Sequence, residues 1–523
     1  MFFSIIGIIF IRTFLENFSS PFVLGGFFPP YALFMHYTYF YFSILFSIII
    51  LLYLFTKTSL NDLFVLTIKL FPIVWLPPIF DMSITTGKGW QMAYIFASPE
   101  VLLNDFFTFF GELNPIGSTP GMRIEIFAIL FFTYLFILHK TSSKAKAFLG
   151  TFCNYIILFV HLVFPSFLMI FYKDIYAKTF FFLDKIYTGS FFESQQAFSI
   201  ISDNQNYLAI LEQSFDIFMA RIFWIIVFFQ LFILLFIYNK KVFLAWIKNS
   251  RWERIIYYSF IDILGMTIYL QTATKSFSFN FTDILAIIIF FLLVASNFWL
   301  AIIINDFTDI NIDTISNSNR PLVTKTITDK EIISIGSVLA ILTLSGLLVL
   351  NYITLLMLLF FQFTYLIYSS YPLHLKQNFF TASAALGLNA LLIAMGGFFL
   401  ISPSQQLTAF PTIFIWMLFF GFFIFSNIKD IKDYAGDKAA SIYTIPVLFG
   451  EKKGKLIISI SCSIFLIIFP LILKNYQLLS ISILASFLLI YIINKKHYQE
   501  YKLFLLFFAY VLFMLYFFVS EKI

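Results

Sequence analysis

Charge is what this chain has least of. Asp, Glu, Lys and Arg make up 11% of its 523 residues, against roughly 25% in soluble domains. That leaves too little polar surface to cover a water-soluble globule, and the apolar excess sets intrinsic disorder aside. Cysteine is almost missing. Its two copies, Cys153 and Cys462, both lie in apolar stretches, so neither a disulfide framework nor a thiolate metal site is expected. The small basic excess, 33 Lys and Arg against 27 Asp and Glu, is scattered in short clusters between apolar runs. It forms no single patch, and nucleic acid is not an expected partner. The N-terminus lacks a basic leader and a small-residue cleavage site, and reads as a retained first membrane segment.

What is present in excess is hydrocarbon: 61% of the residues are hydrophobic and the mean hydropathy is +0.93. Apolar runs such as 283–304, 331–350, 378–401 and 477–493 are each long enough to cross about 30 Å of bilayer core as a helix. They predict an all-α polytopic membrane protein in contact with membrane lipid and set a β-barrel aside. The strongest internal boundary is the polar stretch holding Asn239, Lys240, Lys241, Lys248, Asn249, Arg251, Glu253 and Arg254. It divides an N-terminal transmembrane region, 1–238, from a second region, 239–523. Basic loops stay in the cytoplasm. Threading from this one predicts nine spans, near 255–273, 283–304, 331–350, 352–371, 378–401, 409–426, 455–473, 477–493 and 501–519, with Arg320, Lys325, Lys376, Lys429 and Lys432 cytoplasmic and Lys275 and Lys474 opposite. About six spans precede the boundary, with polar stretches at 81–121 and 173–216 on the outer side. No repeat relates the halves, which disfavours an inverted-repeat transporter, and no chemistry-bearing motif precedes residue 240.

The chemistry lies at two span ends. Ile304 runs straight into N-D-F-T-D-I-N-I-D, residues 305–313. If the helix continues, Asn305, Asp309 and Asp313 fall at i, i+4 and i+8, drifting only about 40° per step and sharing one face. Carboxylates at a membrane boundary are costly without partners, and oxygen-only ligands suit Mg²⁺. A calcium loop starting at Asp309 fails, with Thr314 and Arg320 where glycine and glutamate are required. One such stretch is also what a solvated helix end looks like. A second apolar span, however, runs into S-N-I-K-D-I-K-D-Y-A-G-D-K, residues 426–438, where Lys429, Asp433 and Asp437 repeat the i, i+4, i+8 spacing and Asp430 precedes Asp433 by three. Two acidic faces sharing a cavity repel unless cations lie between them. Together they would hold Mg²⁺ and, through it, a diphosphate, with Arg320, Lys376 and Lys429 reaching phosphate oxygens. A metal-held diphosphate beside an apolar bundle implies a polyprenyl diphosphate and an electrophilic transfer, in which Tyr365, Tyr368, Tyr371, Phe298 and Trp299 could favour an allylic cation. A divalent-cation or lipid transporter using the same carboxylates is the reading from another class.

These motifs resemble those of the UbiA-type intramembrane prenyltransferases: N-D-F-T-D-I-N-I-D with N-R-P-L at 319–322, K-D-I-K-D-Y-A-G-D-K with T-I-P-V-L-F-G at 444–450, and between them Y-S-S-Y-P-L-H-L-K at 368–376. The likeness covers about 240–523. It implies a nine-helix bundle with a central cavity, Mg²⁺-dependent binding of a polyprenyl diphosphate, and transfer of the prenyl group to a hydrophobic or aromatic acceptor. Carried over by position, it assigns metal and diphosphate binding to Asn305, Asp309, Asp313, Asp430, Asp433 and Asp437, and diphosphate contact to Arg320, Lys376, Lys429 and Tyr371. Some members instead transfer phosphoribosyl groups to a polyprenyl phosphate. Phe425 stands where many relatives have tyrosine, and Ser441 where many have glycine.

Overall fold

The computed structural model describes residues 2–19, 31–87, 89–90, 94, 99–111, 118–170, 204–272, 281–402, 404, 406–495 and 499–520. Residues 173–203 of the polar stretch expected over 173–216, and Lys275, lie outside them. Among the described residues there is no β-strand, and twelve helices are long and apolar enough to cross a membrane. The chain divides into two compact units, with the change falling between Asn239 and Lys240.

The first unit contains α1 (Phe2–Ser19), α2 (Tyr31–Thr56), α3 (Leu60–Leu70), α4 (Leu76–Ile84), α5 (Pro99–Phe107), α6 (Pro120–Thr141), α7 (Lys144–Leu162), α8 (Phe164–Ile170) and α9 (Asn204–Tyr238). Five of the twelve apolar spans belong here. Pro72, Pro77 and Pro78 explain why α3 passes into α4 through a tight turn at Phe71–Trp75, since each removes a backbone donor. Side-chain caps set the starts: the Ser59 hydroxyl accepts from the Asp62 amide, Thr119 from Met122 and Ser143 from Lys146.

The second unit holds α10 (Lys240–Lys248), α11 (Trp252–Thr272), α12 (Phe281–Thr308), α13 (Ile310–Ser316), α14 (Asp329–Leu347), α15 (Tyr352–Ser369), α16 (Phe379–Ile401), α17 (Thr412–Phe425), α18 (Asp430–Ala439), α19 (Ile445–Phe449), α20 (Glu451–Ile472), α21 (Tyr476–Ile493) and α22 (Glu500–Ser520). Nine of these overlap the spans threaded from the sequence, and seven of the nine are among the twelve helices long and apolar enough to cross a membrane. Thr328 and Glu331 form a reciprocal capping box at α14, Asn351 caps α15, and Asn378 caps α16. In lipid, where burial of apolar surface does not drive helix association, small residues let helices approach closely. Gly265 on α11 sits where a Cβ would collide with the Ala394 carbonyl, and Gly397 on α16 faces Asp262 in the same way. These contacts lock α11 against α16, the most buried helix of the unit.

Two irregularities matter for function. α12 breaks at Asp309, yet the Asp309 amide donates to Asn305 O at 2.9 Å and the Asp313 amide to Asp309 O at 2.8 Å. The i→i−4 ladder therefore crosses the break, and the three side chains keep their shared face. α17 passes through a tight turn at Ser426–Lys429 into α18, and α13 packs against α18. The loop after α15 is tied to the segment after α18 by an isolated parallel bridge, in which the Tyr443 amide donates to Gln377 O and the Phe379 amide to Tyr443 O.

Candidate active site

The two helix breaks open onto one cavity of about 900 Å³ within the second unit. Asn305, Asp309, Asp313, Arg320, Lys376, Lys429, Asp430, Asp433 and Asp437 all line it. Tyr371 does not. It lies just past the end of α15, is 75% exposed, and its ring rests against His374. Tyr368, one helical turn back, lines the cavity instead, and its hydroxyl accepts a hydrogen bond from the Lys429 ammonium. Of the other aromatic candidates, Phe298 and Tyr365 line the cavity, whereas Trp299 packs edge-on to Trp246 and Trp252.

The first cluster is already neutralised by protein cations. The Lys376 ammonium donates to Asp309, and the Arg320 guanidinium donates to Asp313. Lys376 is only 7% exposed. Burial pulls its pKa below the usual lysine value, and the Asp309 carboxylate opposes that fall. Burial pushes the Asp313 carboxyl up to about 6 in spite of Arg320 beside it.

The second cluster differs. Asp430 and Asp433 occupy the first turn of α18, where the helix N-terminus favours anions, and Asp437 follows one turn on. Among the described residues none of these three forms an ion pair. No three carboxylate, imidazole or thiol groups among the described residues are already drawn together at metal-holding distance.

Sequence reasoning missed a supporting layer. Asp306, 4% exposed, accepts from Arg251 at 2.5 Å, Arg320 at 3.0 Å and Asn249 at 2.7 Å. This buried carboxylate fixes Arg320, which bridges it to Asp313. Its i, i+4, i+8 neighbours lie off the face read from the motif, so periodicity does not single it out. Arg251 and Arg254 sat in a cluster read only as a topology marker, yet both line the cavity.

Six basic side chains (Arg251, Arg254, Arg320, Lys376, Lys429, Lys432) and six acidic ones (Glu253, Asp309, Asp313, Asp430, Asp433, Asp437) face this space, beside aromatic and aliphatic walls that include Tyr257, Tyr258, Phe422, Phe425 and Phe507. The polar rim can grip a charged head, and the greasy wall can take a hydrocarbon tail.

Residues 263–514 match the UbiA prenyltransferase family. The first unit has no such family match. Among solved structures, a UbiA homolog from Archaeoglobus fulgidus bound to GPP and Mg²⁺ is similar at 18% identity and a TM-score of 0.41, over 53% of this chain and 98% of that one. A digeranylgeranylglyceryl phosphate synthase is similar at 21% identity and 0.37, over 53% and 97%, and an apo UbiA homolog from Aeropyrum pernix K1 at 17% and 0.39, over 51% and 98%. No curated protein matches.

Proposed function

We propose that the UbiA-type unit transfers a prenyl group from a polyprenyl diphosphate to a hydrophobic or aromatic acceptor, releasing diphosphate, with Mg²⁺ held by the two Asp-rich helix ends. The observation that carries this reading is the opposition of those ends across one cavity whose walls are aromatic and aliphatic. The donor set fits the ion: Asn305, Asp309 and Asp313 on one side and Asp430, Asp433 and Asp437 on the other offer only oxygen atoms. When bound, Mg²⁺ would offset negative charge on the diphosphate as it departs.

The chain's own residues do the rest. Arg320, Lys376 and Lys429 donate to phosphate oxygens, and the Asp306 network holds Arg320 in place before substrate arrives. Acidic and basic side chains balance around the cavity, so a diphosphate alone or a metal alone would unbalance it. Both together do not. As the allylic C–O bond breaks, its electron pair leaves with the diphosphate oxygen. Phe298, Tyr365 and Tyr258 line the same cavity, and their rings would favour positive charge developing on the prenyl carbon. The acceptor atom then bonds to that carbon and gives up a proton. The apolar wall keeps water from capturing the cation. The basic loops around both motifs would face the cytoplasm.

The test uses the full chain in proteoliposomes with labelled geranylgeranyl diphosphate and a panel of phenolic, naphthoate-type and glycerol-phosphate acceptors. Mg²⁺-dependent release of diphosphate coupled to a prenylated product is expected. Mg²⁺ flux with no diphosphate release under any acceptor would overturn the reading in favour of transport, and phosphoribosyl transfer to a polyprenyl phosphate would replace it with the family's other chemistry.

A further inference from the structure

The first unit encloses a second cavity, of about 400 Å³, within the range of small-molecule sites. Its construction is lopsided. One end is lined by Arg12, Glu16, Asp81 and Glu125, which are between 2% and 8% exposed. The other end, by Leu52, Leu135 and Phe136, is hydrocarbon. From Glu125 to Phe136 along α6 is about 16 Å of helix rise, a length suited to one extended tail. Buried ionisable groups in a membrane bundle carry a free-energy cost that plain tail packing would not justify.

The polar end also says which head group would fit. Arg12 is paired with Glu16 one turn along α1. Asp81 accepts from the Gly121 amide at 2.8 Å, at the start of α6, where the helix end offsets its charge. Glu125 is the acceptor left facing the cavity, with the Arg12 cation beside the same space. An anionic head would meet the Glu125 carboxylate, and a head of either charge must leave water for a mostly apolar chamber that already holds the Arg12–Glu16 pair. A hydroxyl can donate to Glu125 and accept from Arg12 without that cost.

We propose that the first unit is a binding site for a single-tailed amphiphile with an uncharged, hydroxyl-bearing head, of the prenol or monoacylglycerol kind. The site belongs to the first unit and does not depend on the chemistry assigned to the second.

The experiment uses the full-length protein in nanodiscs and photoreactive diazirine probes: geranylgeraniol, monopalmitoylglycerol, palmitate, palmitylamine and phosphatidylcholine. Saturable labelling of α2 and α6 peptides by one or both hydroxyl-headed probes is expected, with competition by the matching unlabelled alcohol and with labelling by the acid, amine and phospholipid at least tenfold weaker. Which alcohol labels better separates an isoprenoid tail from an acyl one. Ile48→Trp, which fills the chamber, should remove the labelling, and the near-isosteric Glu125→Gln should weaken it about tenfold while size-exclusion profiles stay those of the wild type. Equal or stronger labelling by palmitate or palmitylamine overturns the proposal. So does an absence of saturable labelling in the wild-type protein, a result that needs no variant to fold.

Discussion

The two acidic clusters of the second unit are alike in sequence spacing and unlike in their surroundings. Asp309 and Asp313 are each held by a protein cation, Lys376 and Arg320, whereas Asp430, Asp433 and Asp437 form no ion pair among the described residues. Similar side chains at two helix ends thus sit in different electrostatic surroundings. One cluster is kept ready by internal counterions, and those counterions are the same groups proposed to grip the diphosphate. Asp309 and Asp313 would be the residues to hold a metal there, and Lys376 and Arg320, the latter still anchored on Asp306, would be the ones to reach phosphate oxygens. The other cluster forms no ion pair among the described residues, and Lys429 and Arg254 offset the charge of Asp430 only in part.

This difference can be broken most directly at the second cluster. Asp433→Ala or Asp437→Ala should lower Mg²⁺-dependent diphosphate release by about 10²–10³-fold, the size seen when one electrostatic stabiliser of a transition state is removed. Stability without metal should change little, because no ion pair is lost. A variant retaining wild-type release at saturating Mg²⁺ would show that this face does not hold the substrate. At the first cluster the consequence should appear in stability too. Lys376→Met leaves the Asp309 carboxylate largely buried without its ammonium, and losing one partner of a buried pair costs about 3 kcal/mol. Thermal unfolding should therefore fall markedly in metal-free buffer and recover as Mg²⁺ is added, while release of diphosphate stays depressed. The same unfolding temperature with and without Mg²⁺ would count against a metal held by Asp309 and Asp313.

The legible part of this protein was whatever follows a regular period. The nine long helices of the second unit, the division near residue 239 and the shared face of Asn305, Asp309 and Asp313 come from hydropathy and 3.6-residue spacing. They persisted even where α12 breaks, because its hydrogen-bond ladder continues through Asp309. What spacing does not reveal is which residue of a turn points inward. Tyr371 and Tyr368 are equally plausible in the string Y-S-S-Y, but only Tyr368 still belongs to α15 and is turned into the bundle to meet Lys429. Asp306 was hidden for a related reason: its partners Asn249 and Arg251 are more than fifty residues away, a contact that no local pattern encodes. The first unit was opaque because its ionisable residues, Arg12, Glu16, Asp81 and Glu125, are spread over three helices and meet only in the folded chain.

Smaller effects sharpen the picture of a prearranged first cluster. Arg251→Ala removes one of three donors to Asp306 while Arg320 and Asn249 remain. A hydrogen bond to a charged group contributes about 1.5 kcal/mol, roughly tenfold in an equilibrium constant. Because Arg251 itself lines the cavity, the informative readout is a split: a KM for the prenyl diphosphate raised about tenfold, partly restored by Arg251→Lys. Loss of kcat with KM unchanged would instead put Arg251 in the transition state.

The smallest change expected is at Asp329, the first residue of α14. It lies near the same end of the bundle in sequence, carries the same charge as the site carboxylates, and does not line the cavity. Asp329→Ala keeps the Thr328–Glu331 capping box and loses only the interaction of one exposed carboxylate with a helix N-terminus, about 0.3–1 kcal/mol. The unfolding temperature should drop slightly, and diphosphate release should match the wild type at every Mg²⁺ concentration. Were Asp329→Ala to shift the Mg²⁺ dependence, negative charge anywhere near this end of the bundle would suffice to recruit the ion. The contrast between paired and unpaired carboxylates inside the cavity would then lose its meaning.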